Sequence, residues 1–131
     1  MIERLSPPGI PAPRGPYSPA VRAGDFIFVS GQVPVDPATN ELSSGDIKHE
    51  TRVAINNVKL VLEGAGATLA DVVRVGVYLG DGKDFAAMNE IYAKSFAPEG
   101  TVPPARSTVA VAGLPKDALV EIECIATLDP A

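Results

Sequence analysis

Arg106 stands where a charge is costly. It follows Pro103-Pro104-Ala105 and opens the largely apolar run Ser107-Thr108-Val109-Ala110-Val111. A guanidinium in that position must stay hydrated or find an anion, and its planar fork suits a carboxylate held by two parallel hydrogen bonds. That carboxylate could belong to the chain, as Glu121 or Asp117, or to a ligand. Glu121 and Glu123 are the second cluster able to do chemistry. Strand periodicity puts Val120, Ile122, Cys124 and Ala126 on one face and Glu121, Glu123 and Ile125 on the other. The apolar row reads as core. The acidic row either borders a cleft or lies solvated along a strand edge.

Other chemistries lack their parts. The single histidine, His49, sits among Lys48, Glu50 and Arg52 and reads as a solvated helix residue. Without a second histidine, a two-histidine ribonuclease mechanism has no acid–base pair, and the serines show no suitably placed partner for a Ser-His-Asp triad. Gly64-Ala65-Gly66 reads as a helix end rather than a phosphate loop. The lone Cys124 leaves no disulfide framework and no multi-cysteine zinc site. Its place in the apolar row makes it core rather than nucleophile. Metal binding would rest on carboxylates alone, and no cluster of them points to it, so no metal or cofactor is expected. The net charge of −5 and 5% aromatic content argue against nucleic acid and anionic membranes as partners. No apolar run approaches the roughly 18 residues of a membrane-spanning helix, and the N-terminal residues lack the order of a secretory signal. The cytoplasm is the expected location.

The elements that must position these groups follow from periodicity. With 131 residues, the chain fits one domain spanning 1–131. Its first 16 residues carry five prolines and read as an extended arm. Tyr17 to Val21 forms a short strand, a hairpin turn falls at Gly24-Asp25, and Phe26 to Val29 is a strand that Ser30-Gly31-Gln32 interrupts. Asp46 caps a long helix whose buried stripe is Ala54, Val58, Val61, Leu62 and Ala65, stopped by Gly64 and Gly66. Val72 to Leu79 is the strongest strand, with Val73, Val75, Val77 and Leu79 on one side and Val72, Gly76 and Tyr78 on the other. A second helix runs from Asp84 to Phe96 with Phe85, Met88, Tyr92 and Phe96 on one face. Ser107 to Ala112 and Leu119 to Thr127 complete the strands. The class is α+β, a mixed sheet with two helices on one face. Both faces of the central strands are apolar, so the uncovered face is expected to be a subunit interface.

Several segments, in order along nearly the whole chain, resemble the RidA/YjgF family, whose members are called reactive enamine/imine deaminases. These are Gly15-Pro16-Tyr17-Ser18, Phe28-Val29-Ser30-Gly31-Gln32-Val33-Pro34, Asn89-Glu90-Ile91-Tyr92, Pro104-Ala105-Arg106-Ser107, Ala112-Gly113-Leu114-Pro115-Lys116 and Val120-Glu121-Ile122-Glu123. An older description of the family is endoribonuclease L-PSP, or translation inhibitor. The resemblance implies a chorismate-mutase-like fold and a homotrimer around a central barrel, with clefts between subunits. It implies that Arg106 grips a substrate carboxylate and that Glu121 is associated with the reactive water. Tyr17, Ser30, Gly31 and Asn89 would line the pocket, the glycine through its backbone N–H. Thr108 stands where many members carry cysteine, which puts a hydroxyl near the carboxylate site. Arg14 and Pro19 replace an apolar residue and a glutamine, and Pro98 to Val102 form a slightly longer loop. Arg14 would then admit a second acidic group on the substrate.

The implied reaction is hydrolysis of an imine such as 2-iminopropionate, the tautomer of 2-aminoacrylate, to a 2-keto acid and ammonia. Two other readings use the same residues or the older description. One is a non-catalytic trimer that binds a keto acid through Arg106. The other is RNA cleavage or translation inhibition, against which the negative charge and the lone His49 both count.

Overall fold

The computed structural model describes residues 1–128. The elements, in chain order, are β1 (Ile2–Leu5), β2 (Ala20–Ala23), β3 (Phe26–Gln32), α1 (Ile47–Gly64), β4 (Val72–Leu79), α2 (Phe85–Phe96), β5 (Ala105–Ala110) and β6 (Val120–Thr127). The strands make one six-stranded sheet in the order β1-β2-β3-β6-β4-β5. All neighbours are antiparallel except β4 and β5, which α2 connects in parallel. Both helices pack on one face, and the core lies between them and the sheet.

Local chemistry explains the boundaries. Asp46 has extended backbone and its carboxylate accepts the His49 N–H at 2.8 Å, so α1 starts at Ile47. The stripe Ala54, Val58, Val61 and Leu62 is fully buried, with Ala65 partly so at the C-cap. Asn57, also fully buried, donates to the carbonyls of Val33 and Val35 and ties α1 to the segment after β3. Val120, Ile122, Cys124 and Ala126 of β6 all face the helices.

Four expectations need correction. The N-terminal arm opens with a strand, β1, which pairs with β2 before the prolines begin. β2 starts at Ala20 rather than Tyr17, because Pro19 has no N–H to give; only its carbonyl joins the sheet, accepting from Ser30 N at 3.0 Å. β3 is not interrupted at Ser30-Gly31. It runs on to Gln32 through a bulge, three steps on β3 matching two on β6 between the Val29–Cys124 and Gln32–Ile122 pairs. β4 also bulges: Val72 pairs with Ala126 and Arg74 with Ile125, so Val73 is the extra residue. The slip moves Val72 to the helix side with Val75, Val77 and Leu79, and turns Val73 outward.

Among the described residues, no helix covers the opposite face of the sheet. Phe26, Phe28 and Val109 lie there 46%, 43% and 49% exposed, beside Tyr78, Glu121 and Glu123. Among the described residues, no helix is long and apolar enough to cross a membrane.

Candidate active site

Directly paired residues on neighbouring strands share a face, which decides where each candidate group points. Val75 pairs with Arg106 on one side and Cys124 on the other, and Val77 pairs with Thr108 and Ile122. Val75, Val77, Ile122 and Cys124 are core, so Arg106 and Thr108 lie on the helix side, at the sheet edge that β5 forms. Tyr78 pairs with Glu121, and both belong to the uncovered face. From Arg106 to Glu121 the sheet is crossed by two strand spacings and three residues along β4. Their Cα atoms are therefore about 14 Å apart, with side chains leaving opposite faces. One chain cannot bring both groups to one small substrate.

The first cluster is built around Arg106. Its Nη1 donates to Asn89 Oδ1 at 2.7 Å. The guanidinium lies over the Tyr92 ring, 4.5 Å from its centre, and 5.7 Å from that of Phe85. Stacking fixes the plane of the fork while leaving its edges open. Among the described residues, no carboxylate lies within ion-pair distance of Arg106, neither Glu121 nor Asp117, and Asn89 takes one of its five donors. Asn89 thus holds the arginine rather than a nearby backbone group. Thr108 Oγ1 is buried and has no hydrogen-bond partner among the described residues, as has the Tyr92 hydroxyl. Burial pushes the Tyr92 hydroxyl above its usual range, against the pull of the Arg106 charge.

The second cluster surrounds Glu121. A cavity of about 480 Å³ opens between the proline-rich arm, the β3 bulge and the loop before β6, and Tyr17, Ser30, Gly31 and Glu121 all line it. Glu121 lies across the backbone of Gly31. A Cβ there would collide with the Glu121 carboxyl oxygen and approach its carbon to 2.8 Å, so the glycine is the seat of the carboxylate. Glu123 is seated the same way on Gly76 of β4. Half-burial raises the Glu121 carboxyl above the usual carboxylate range, and the charge of Glu123 raises it further. The carboxylate receives no hydrogen bond from the described residues. Ser30 spends its proton on the Ser18 carbonyl at 2.6 Å. The Tyr17 hydroxyl accepts from Arg14 N at 3.2 Å. Buried Glu50 fixes the start of β6, its two oxygens accepting from Leu119 N at 2.9 Å and Gly45 N at 3.2 Å.

The seven sequence-predicted residues therefore fall into two sets. Tyr17, Ser30, Gly31 and Glu121 meet at the cavity; Arg106, Asn89 and Thr108 lie on the other face. Sequence reasoning missed Tyr92 as the platform under Arg106, having placed it in the core stripe, and missed Lys116 in the cavity wall, where Glu123 lies with Glu121 as one of the two readings of the acidic row had it. It also missed a partner for one serine. Ser43 Oγ lies 2.9 Å from His49 Nε2, because the loop from Asp36 folds back onto the first turn of α1. No carboxylate among the described residues orients the other ring nitrogen, so the pair lacks the third member of a triad. Groups of His, Cys, Asp and Glu able to hold a metal ion are absent among the described residues.

Comparison with known proteins follows the same lines. A family model described as endoribonuclease L-PSP matches residues 9–128. A RutC family protein of Pyrococcus horikoshii is 52% identical over 126 residues, 96% of this chain and 98% of that one. A protein of Dermatophagoides farinae named 2-iminobutanoate/2-iminopropanoate deaminase is 42% identical over 95% of each chain. Among solved structures, E. coli TdcF with bound serine matches with a TM-score of 0.89 at 37% identity, covering 97% of this chain and 99% of that chain.

Proposed function

The chain belongs to the endoribonuclease L-PSP family, also called the RidA/YjgF family, and from that premise we propose that it hydrolyses small carboxylate-bearing imines to 2-keto acids and ammonia. The observation that carries this reading is the state of Arg106. It is stacked, tethered once and unpaired with any carboxylate of the described residues, as a group that awaits an anion must be. The site is completed when the uncovered sheet faces of several copies, three in a closed ring, pack together. The Arg106 edge of one copy then meets the Glu121 cavity of the next. The exposed Phe26, Phe28 and Val109 support that association, since a face of this kind is adhesive in water.

In this site Arg106 holds the substrate carboxylate by its free donors, which orients the adjacent C=N carbon toward the cavity. Asn89 and Tyr92 keep the guanidinium from turning away, and Thr108 Oγ1 gains a partner it lacks in the single chain. Glu121 holds the attacking water. As the water oxygen bonds to the imine carbon, its proton passes to the Glu121 carboxylate and then to nitrogen. The hydroxyl proton of the resulting amino alcohol then passes to nitrogen through the same carboxylate, the C–N bond breaks, ammonia leaves and the C=O of the keto acid forms. A carboxyl raised above its usual range is a stronger base toward the water proton than an ordinary carboxylate, and still an acid toward nitrogen. Water supplies the oxygen and two protons, and the C=N bond is the one bond of the substrate that is exchanged.

The 42% identical deaminase supports the reaction, and the serine held by TdcF supports a small carboxylate-bearing ligand. That bound amino acid also favours a second reading, in which the cleft binds a keto or amino acid without turnover. One assay separates the two. A threonine dehydratase supplies the imine, and keto-acid release is followed with wild type and Arg106→Ala. The deaminase reading expects wild type to accelerate release and the variant to lose the effect. Equal release with and without wild type leaves the binding reading.

A further inference from the structure

The cavity is larger than a small imine needs, being within the range of pockets that enclose much bigger ligands. Its wall also carries two cations that the reaction does not use. Arg14 reaches it from the proline-rich arm and Lys116 from the loop before β6. Among the described residues the only ion pairs are Lys48–Glu90 and Lys83–Asp81, so neither Arg14 nor Lys116 has a carboxylate within reach, although Glu121 and Glu123 line the same cavity.

Both cations sit on constrained backbone. Arg14 lies between Pro13 and Gly15-Pro16. Its N–H is fixed to the Tyr17 hydroxyl, the Tyr17 N–H returns to Gly15 O at 2.9 Å, and Asn40 holds the Ala12 carbonyl at 3.2 Å. Lys116 follows Pro115 and is left-handed, with φ 58°, as is Asp117 with φ 56°. Two successive non-glycine residues in that region are strained and persist only where the surroundings impose them. Cations held on stiff backbone lose less freedom on binding an anion.

We propose that the cavity takes imines derived from dicarboxylic amino acids, with Arg14 and Lys116 receiving the second acidic group while Arg106 holds the first. This rests on the deaminase reading for the chemistry and adds to it the class of substrate. The two glutamates sharpen the choice of pose. They repel an acidic side chain, which is drawn instead to the two cations of the same wall. A substrate with an apolar side chain gains nothing from either.

The test has a kinetic arm and a binding arm. Amino-acid oxidases generate imines from alanine, aspartate and glutamate in the presence of semicarbazide, and loss of the semicarbazone measures hydrolysis. The ratio of kcat/KM for the diacid imines over the alanine imine is expected to exceed one. It should fall about tenfold or more in Arg14→Gln and again in Lys116→Gln, the size of a lost charge-assisted hydrogen bond. A ratio that neither substitution moves overturns the proposal while leaving the deaminase reading intact. Calorimetry with 2-oxoglutarate and pyruvate decides the matter even if no imine is turned over. Tighter binding of 2-oxoglutarate that is lost in the double variant upholds the diacid site. Equal affinity for the two keto acids overturns it. A charge-reversed Arg14→Glu, which leaves the buried core untouched, provides the same readouts if Arg14→Gln folds poorly.

Discussion

Gly31→Ala isolates the seat of the carboxylate to which the proposed reaction assigns the water. Gly31 does not adopt a left-handed φ, so alanine fits the backbone there. By reducing the freedom of the unfolded chain, it would by itself stabilise by about 0.4–1 kcal/mol. The nearest obstacle among the described residues is Glu121, whose carboxyl occupies the place of the new methyl group. That side chain must swing away by about 1 Å, a displacement that costs on the order of 10²-fold in rate for a positioned catalytic group. Steady-state kinetics should therefore show kcat falling about 10²-fold with the melting temperature nearly held. Glu121→Ala removes the obstacle, so the double variant should match Glu121→Ala alone in kcat and exceed Gly31→Ala in stability. The two changes are strongly non-additive because they act on one group. Wild-type turnover in Gly31→Ala would refute the reasoning, as would a double variant slower than Glu121→Ala by a further 10²-fold.

Two further outcomes follow from the titrating groups. Burial and the Glu123 charge both raise the Glu121 carboxyl, so the acid limb of the pH–rate profile should lie above the usual carboxylate range, and Glu123→Gln should move it to lower pH. In the same way, the stability tied to Glu121 is complete below its unfolded pKa and is lost as pH rises through the higher folded value. Scanning calorimetry should therefore find Glu121→Gln more stable than wild type at neutral pH, with the difference closing in acid. Burial, aided by Glu123, pushes the Cys124 thiol up to about 12, so alkylating reagents should leave the native protein unmodified and label it only on unfolding.

How much of this was legible in the sequence depended on the range of the interactions involved. A valine-rich run ended by Gly80 located Val72–Leu79 at its observed limits, and the Asp46 cap located the start of α1. Strand period two placed the β6 core row correctly, since that strand runs without a bulge where it crosses the core. It failed at Val73, because a single extra residue reverses the faces across it and the residue types on either side do not mark the slip; at Ser30-Gly31 the irregularity was legible, but as a break rather than a bulge within one strand. The resemblance named Arg106 and Glu121 together. Period two gave each strand two faces but not how the faces of β5 and β6 align, and the alignment puts the two groups on opposite sides of the sheet. Tyr92 and Asn89 meet Arg106 only because α2 crosses over β5, a tertiary fact with no local signal. The Ser43–His49 contact depends on a loop closing back onto a helix, and was hidden for the same reason.

The central claim is that the Arg106 edge and the Glu121 cavity of different copies make one site. Arg106→Ala and Glu121→Ala should each be inactive alone. Unfolded together in equal amounts and reassembled, they should regain activity at about a quarter of the sites, the share at which an intact Arg106 meets an intact Glu121 across a ring of randomly mixed copies. A mixture as inactive as its parents, with both variants folded and co-assembled, would contradict the account.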